Sequence, residues 1–542
     1  MSSNPINSEY PESPTRVDLS ATLLYGLVLG LVPFLFIPVP LLDYPTINSE
    51  ILLVKEIGIR VICGLILLLG TFKVFTQGFA PLLKSGLIPV SLISYSALSV
   101  LSALFSSNVG FSLHYLYSEQ LLVWSVLFVP YFFKHRGQVQ FLVFSALTSC
   151  VLCSLFSVAV WLTNGEALVL IYGANIRELL FGGGAGVTIE GGIRSLYMST
   201  LGNPEFAGNF LAIGVLLSGL FAWNQFGVKS LQNRPYASIL LGAIFTSITG
   251  FAMLLTQTRG SLLVLAFCGM LWGYIQLRFS IKLLAVAMLV FGAVFFLLGI
   301  LIAVAAFGLF LIILLITRLK IDGLKQYYTS FHPHQRVLLG AFVALGIMGF
   351  LSAAFVPPVQ NRLAPIAERI TSAGSVNDRS IRERLLFYLL ASEMVVEHPI
   401  LGVGPGMYPA NFHNSMSKVV SEDSSGVMAY NQRLLKNFVA FEAHNDYFQI
   451  SSEQGFLGIS AFLLMIAALF QPIIRMIRQS REAESNLALV LFVSISGYLS
   501  MMLMSFPLQE PARAAHFFGL LATAYALVHV GSLSHSSEGD NS

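Results

Sequence analysis

Residues 443–466 read AHNDYFQISSEQGFLGISAFLLMI. His444, Asn445, Asp446, Gln449 and Glu453 run directly into an apolar segment with the character of a membrane crossing. With a helix starting at 444, Asn445, Gln449 and Glu453 recur every four residues and form one polar stripe. His444 then stands at the helix start, exposed to an aqueous edge, where core packing does not account for it. The stretch predicts a helix that enters lipid and carries chemistry at its lip.

The rest of the chain has the same setting. It has 542 residues, 56% hydrophobic and only 11% charged, with a mean hydropathy of +0.77. Soluble domains carry about twice that charge fraction. Apolar runs of roughly 20 residues, each sufficient for a membrane helix, follow one another. They fall at about 20–42, 51–72, 86–105, 112–133, 139–162, 200–223, 236–256, 260–277, 281–298, 299–317, 337–356, 455–474, 486–505 and 513–531. The expectation is an all-α polytopic membrane protein of about fourteen transmembrane helices.

Charge placement orients it. With two spans in 281–317, the loops carrying Lys73 and Lys84, Lys134 and Arg136, Lys229 and Arg234, and Arg278 and Lys282 share one side. Arg318, Lys320, Lys325 and Arg336 join them, as do Arg475, Arg478 and Arg481. The positive-inside rule makes that side cytoplasmic, with both termini. Residues 1–19 and 532–542 read as disordered cytoplasmic tails around a single transmembrane domain, 20–531. Two segments face outward, about 163–199 and about 357–454, and the second, with its short amphipathic helices, is the expected catalytic loop. Cys63, Cys150, Cys153 and Cys268 all lie inside spans, which excludes an extracytoplasmic disulfide framework. Cys150 and Cys153 lack His or carboxylate company and read as packing residues.

Within the outer loop, NDRSIRERLLFYLLASEMVVE (377–397) predicts a helix capped by Asn377 or Asp378 and stopped by His398-Pro399. Ile381, Leu385, Tyr388 or Leu389, and Ser392 to Val396 give it one apolar face. Arg379 and Arg382 read as solvated or headgroup-facing. Arg384 sits deeper and wants an anionic partner, for which its planar fork suits phosphate. The turn PILGVGPGMYP (399–409) is shaped by Gly402, Gly404 and Gly406. Arg259, in FAMLLTQTRGSLLVLAF (251–267), reads either as snorkelling to headgroups or as an anion-binding arginine at the outer interface. Glu442, His444 and Asp446 alternate, but no second His or Cys cluster completes a metal site, so no metal or cofactor is expected. His413-Asn414 has a similar composition without the helix and stripe. Lys55, Glu56 and Arg60 interrupt the second span. Glu56 and Arg60 read as an i,i+4 pair, with donor contact as the alternative, and Lys55 as snorkelling outward. Glu119, Asn203 and Glu205 are similar outliers, and Arg194 lies in the glycine-rich loop 182–194.

Four stretches resemble, in order, the O-antigen ligase family, which also embraces O-antigen polymerases and protein O-oligosaccharyltransferases. They are TLGNPEFAGNFLA (200–212), TQTRGSLLVLAF (256–267), RLLFYLLASEMVVEHPILGVGPGMYP (384–409) and AHNDYFQISSEQGFLGI (443–459). The tail SFPLQEPARAAHFFGLLATAYA (505–526) resembles that of many members. Tyr388 stands where the family often has Trp. The resemblance implies a GT-C-like bacterial inner-membrane glycosyltransferase of lipopolysaccharide or polysaccharide biosynthesis. Its donor would be an undecaprenyl-pyrophosphate-linked glycan, and its acceptor a hydroxyl on lipid A core, another glycan or a protein, at the periplasmic face. Arg259, Arg384 and His444 match the family's functional arginines and histidine. The arginines would hold pyrophosphate and the histidine would lie near the acceptor. Asn203, Arg194, Asn445, Gln449 and Glu453 are second-rank substrate contacts.

The chemistry of the residue types agrees with that. Guanidiniums neutralise a pyrophosphate leaving group, and histidine is the natural base near neutral pH. No Asp-x-Asp pair is present to clamp a metal and nucleotide sugar, so the expected reaction is metal-independent. A ligase is the leading expectation, with a polymerase or protein oligosaccharyltransferase as alternatives. A lipid-linked glycan transporter is the rival of another class; it predicts internal repeats and mid-membrane charge, and neither is evident. The bilayer is a partner, and nucleic acid is not.

Overall fold

The computed structural model describes residues 14–35, 47–163, 167, 199–201, 203–224, 235–256, 258–276, 379–422, 440–479 and 482–539. Among these the chain is helical, with no strand. The helices are α1 (Arg16–Gly30), α2 (Ile47–Gln77), α3 (Ala80–Lys84), α4 (Leu87–Leu104), α5 (Val109–Leu127), α6 (Val129–Phe132), α7 (Arg136–Leu162) and α8 (Pro204–Asn224). After them come α9 (Pro235–Leu255), α10 (Arg259–Gln276), α11 (Arg379–Glu397), α12 (Tyr408–Glu422), α13 (Asp446–Gln479), α14 (Glu482–Met501) and α15 (Pro511–Gly539).

Six spans among the described residues are long and apolar enough to cross a membrane: Arg16–Phe34, Leu53–Gln77, Leu87–Leu104, Arg136–Leu162, Asp446–Gln479 and Pro511–Leu533. Leu241–Leu255, Gly260–Trp272 and Ser485–Met501 are shorter apolar helices. The expected spans 281–298, 299–317 and 337–356 lie outside the described residues. The expected span 112–133 is divided at Phe128, with Pro130 opening the short α6.

The helix ends sort into two groups. Asp18, fully buried in the first turn of α1, pairs with Lys73 Nζ at 2.7 Å and lies 3.9 Å from Lys134 Nζ. Thr15 and Asp18 cap each other's backbone at 3.2 and 3.0 Å. The chain is therefore helical from Arg16, inside the stretch read as a tail, because Asp18 is at once cap and counter-ion. At the other terminus α15 continues to Gly539, again past the expected boundary. Tyr131 donates to the Gly78 carbonyl at 2.8 Å, and Gly531 lies beside Met476. The starts of α1 and α7 and the ends of α2, α13 and α15 thus gather at one basic end of the bundle. The starts of α8, α10, α13 and α15 lie at the other.

Between the ends, small residues let helices approach, since lipid offers no hydrophobic drive for helices to associate. A Cβ on Gly26 would lie 2.4 Å from Phe141, and one on Gly519 2.5 Å from Leu29. The four cysteines are free and buried. Cys150 fits against Gly214 and Cys268 against Gly497, consistent with packing. Glu56 and Arg60 pair at 2.5 Å, with Ser118 bonding both. Glu119 accepts a bond from Tyr95. Lys55 does not snorkel. It is fully buried and donates to the carbonyls of Pro33, at 3.0 Å, and Thr200, which the breaks at Val32–Phe34 and Ser199–Leu201 leave free.

Helix α11 stops at Glu397, before His398-Pro399, as expected. Its packed face, however, is Leu386, Phe387, Leu390, Ala391 and Met394. Leu385, Leu389 and Val396, assigned to that face from their spacing, are 53%, 44% and 75% exposed and form a second apolar face. The packed face builds a small core with Val403, Met407, Tyr408, Phe412, Met416, Ala440 and Ala443. His413 does lie on a helix, α12, on its exposed side.

The glycine turn fastens this unit to α13. Gly455 (φ 66°, ψ −166°) kinks α13, which is why the sequence reads as a polar helix and then a span from 455. At the kink the Val403 and Gly404 amides donate to Ser452 and Glu453 carbonyls at 2.9 Å. Phe456 donates to Pro399 O at 2.8 Å and Leu457 to Ile400 O at 3.2 Å. A Cβ on Gly402 would lie 2.3 Å from the Glu453 backbone, and one on Gly455 2.4 Å from that of Ile400. Both glycines have positive φ, where an L side chain adds about 1–2 kcal/mol of strain. Gly402→Ala and Gly455→Ala should therefore each destabilise the detergent-solubilised protein by about 2 kcal/mol or more, read as an earlier thermal loss of the monodisperse species. Wild-type stability in both would contradict this packing.

Candidate active site

At the end of the bundle opposite the basic one, the segment before α10 crosses the start of α8. Thr258 donates to the Pro204 carbonyl at 3.1 Å. Gly208 faces Thr256 and Thr258 so closely that a Cβ would lie 2.5 Å from Thr256 Oγ1. Asn203 accepts from the Glu205 amide at 2.7 Å, capping α8. Arg259 opens α10 beside this crossing, with Gly260 facing Asn209. Its side chain and the whole of Arg194 lie outside the described residues.

Helix α11 brings Arg384 to the same place. Nη2 donates to both Glu205 oxygens, at 3.0 and 2.9 Å, and Nη1 to the Met504 carbonyl at 2.9 Å. The anionic partner expected of Arg384 is thus, within the protein, a carboxylate from α8. The pair is partly accessible, with 27% and 18% side-chain exposure, so another anion can compete for the guanidinium.

His444 lies between aromatic rings. Phe387 stacks on it with centroids 5.6 Å apart, and Phe506 meets it edge-on at 4.7 Å. The expectation of an exposed histidine is corrected: the side chain is only partly accessible, and Nδ1 is buried with no hydrogen bond among the described residues. The backbone also differs from a helix start. His444 has φ +55°, an uncommon conformation for a non-glycine residue. Helix α13 instead begins at Asp446, with Asn445 as the cap, accepting from the Tyr447 and Phe448 amides at 2.9 and 3.2 Å. Burial pushes the imidazole below its ordinary value of 6.5, Glu205 and Glu383 pull it up, and Arg384 and Arg513 push it down. The ring is therefore held in its uncharged, basic form.

The polar stripe behind His444 is engaged within the protein. Asn445 donates to Leu503 O at 2.9 Å. Gln449 accepts from the Ala443 amide at 2.6 Å and donates to Glu453 Oε1 at 2.8 Å. Glu453 also accepts from the Tyr408 amide at 3.2 Å. Asp446 accepts from the Leu508 amide at 3.0 Å. These side chains hold the platform under His444.

Arg513, Phe506 and Phe387 escaped assignment from sequence. Arg513 is fully buried, yet its guanidinium sits 4.0 Å from the Phe206 ring centroid and donates to Ser505 Oγ at 3.1 Å and Phe506 O at 3.3 Å. The signal was present in PARAAHFF, an arginine in an apolar helix being costly enough to mark a specific role. Glu442 is also near. Burial pushes it up to about 7, against the pull of Arg513.

The fold and this end-on cluster define a helical membrane protein with an arginine–carboxylate pair beside an uncharged histidine. Residues 297–463 match a family described as O-Antigen ligase, which supports an assignment to that family. No curated protein matches the chain. Arg384 and His444 fall inside the matched segment; Glu205, Phe506 and Arg513, which contact or flank them, fall outside it.

With histidine Cε1 labelled, the His444 resonance should titrate below 6.5, because burial disfavours the cation. A midpoint at or above that value would contradict the enclosed geometry.

Proposed function

We propose that the chain transfers a glycan from undecaprenyl pyrophosphate to an acceptor hydroxyl at the periplasmic face of the bacterial inner membrane, as a surface-polysaccharide ligase. The match of residues 297–463 to the O-Antigen ligase family supports glycan transfer of the ligase or polymerase type. The observation that carries the finer reading is the meeting of Arg384, which already grips a carboxylate, with the uncharged His444.

In this reading a phosphate of the donor takes the place of Glu205 on Arg384, and Arg259 joins from the start of α10. The acceptor oxygen bonds to the anomeric carbon as the bond from that carbon to the pyrophosphate oxygen breaks. The electron pair leaves on undecaprenyl pyrophosphate, whose charge the guanidiniums neutralise, and the hydroxyl proton passes to His444. Direct displacement inverts the anomeric configuration. The step as written uses no metal. A glycan acceptor on lipid A core gives a ligase; the end of a repeat unit or a protein hydroxyl would use the same donor chemistry.

Purified protein supplied with lipid-linked glycan and acceptor tests this. His444→Ala should lose about 10²–10⁴-fold in turnover while still binding donor, and Arg384→Ala should lose donor affinity as well. Normal product from both variants, correctly inserted, would overturn the proposal.

A further inference from the structure

We infer that Arg513 is a positioning residue for this site: from the base of α15 it holds residues 502–510 as a strap that sets both Arg384 and His444. The inference rests on the function proposed above. Every link is a contact of the strap. Met504 supplies the carbonyl that fixes Arg384 Nη1 at 2.9 Å. Phe506 places its ring edge on His444 at 4.7 Å. Leu503 O accepts from Asn445, the residue after His444 and the cap of α13, at 2.9 Å. The Leu508 amide donates to Asp446, and Met502 O accepts from the Asp446 amide at 3.0 Å. The strap is built of turns and so needs an external anchor to hold one geometry.

Arg513 is that anchor. It grips the strap at two adjacent residues, Ser505 and Phe506. Its plane also faces Phe206, which packs edge-on against Phe506 at 5.3 Å and follows Glu205 in the chain. One buried guanidinium therefore ties the start of α8, which carries the carboxylate on Arg384, to the ring that encloses His444. Glu510 supplies its counter-charge at 3.4 Å and accepts from the Arg513 amide at 2.8 Å, so the charge is balanced inside the helix start. A lysine cannot replace this fork, because an ammonium has neither the planar face for Phe206 nor two spaced donors on one rigid group.

Arg513→Lys and Arg513→Met separate positioning from charge. Both should lower turnover by about 10²-fold, as misplacement of reacting groups by about an ångström does, with donor KM changed far less. The His444 Cε1 titration distinguishes the two. Arg513 acts on that imidazole together with Glu205, Arg384 and Glu383, so its midpoint should rise in Arg513→Met and hold in Arg513→Lys. Because Arg513→Met leaves Glu510 buried without its cation, it is also made with Glu510→Gln, and Phe506→Leu tests the strap with Arg513 intact. Loss of turnover in all of these, in well-inserted protein, supports the inference. If His444→Ala is inactive while the Arg513 and Phe506 variants keep wild-type turnover and titration, Arg513 has no positioning role and the proposed reaction stands. If His444→Ala itself is active, it is the reaction that fails.

Discussion

The joint between the glycine turn and the kink of α13 is the constraint on which the site depends. A transmembrane helix satisfies its own backbone groups, so a break in one leaves amides and carbonyls needing partners where water is scarce. At Gly455 those partners come from residues 399–404, through backbone bonds running across the kink. Ser102 reinforces the joint from α4, donating to Leu401 O at 2.7 Å and Glu453 O at 2.9 Å. Only residues without a Cβ allow the two backbones to approach this closely, so Gly402 faces the backbone of Glu453 and Gly455 that of Ile400. With that joint made, α11 and its arginine have a fixed seat above α13.

The same scarcity of water governs the charges. Asp18 meets Lys73, Glu56 meets Arg60, and Glu510 meets Arg513, each cation with its carboxylate nearby. Lys55 is held by carbonyls at two helix breaks. The Arg384–Glu205 pair shares its partial exposure with Glu56–Arg60 but, unlike that pair within one helix, joins helices far apart in sequence. A fully buried pair is costly to separate; a half-exposed one can exchange partners. His444 shows the complementary design: burial between two aromatic rings disfavours its cation, and among the described residues no carboxylate is hydrogen-bonded to Nδ1.

Much of the helical frame was legible in sequence, because hydropathy reports crossing length. The boundaries of α4, α7, α9 and α10 lie close to the apolar runs that predicted them. Arg384 and His444 were legible because a charge or a histidine at the lip of an apolar helix is conspicuous. What escaped was contact-dependent. Periodicity gave α11 an apolar face, but α11 has two, and the packed one was chosen by the fit of Phe387 and Met394 to α12. The stripe of Asn445, Gln449 and Glu453 looked like a binding surface, yet spacing cannot tell an outward polar group from one spent on a neighbouring backbone. Arg513 and Phe506 reach the site through a turn, which carries no periodic signal.

The most direct measurement is the size of glycans left on undecaprenyl pyrophosphate when the gene is deleted from its host, read by gel or mass spectrometry. A ligase of the kind proposed leaves long polymer stranded on the lipid, made but not handed on. Accumulation of single repeat units would instead make the chain a polymerase, and an unchanged lipid-linked pool would contradict transfer from this donor altogether.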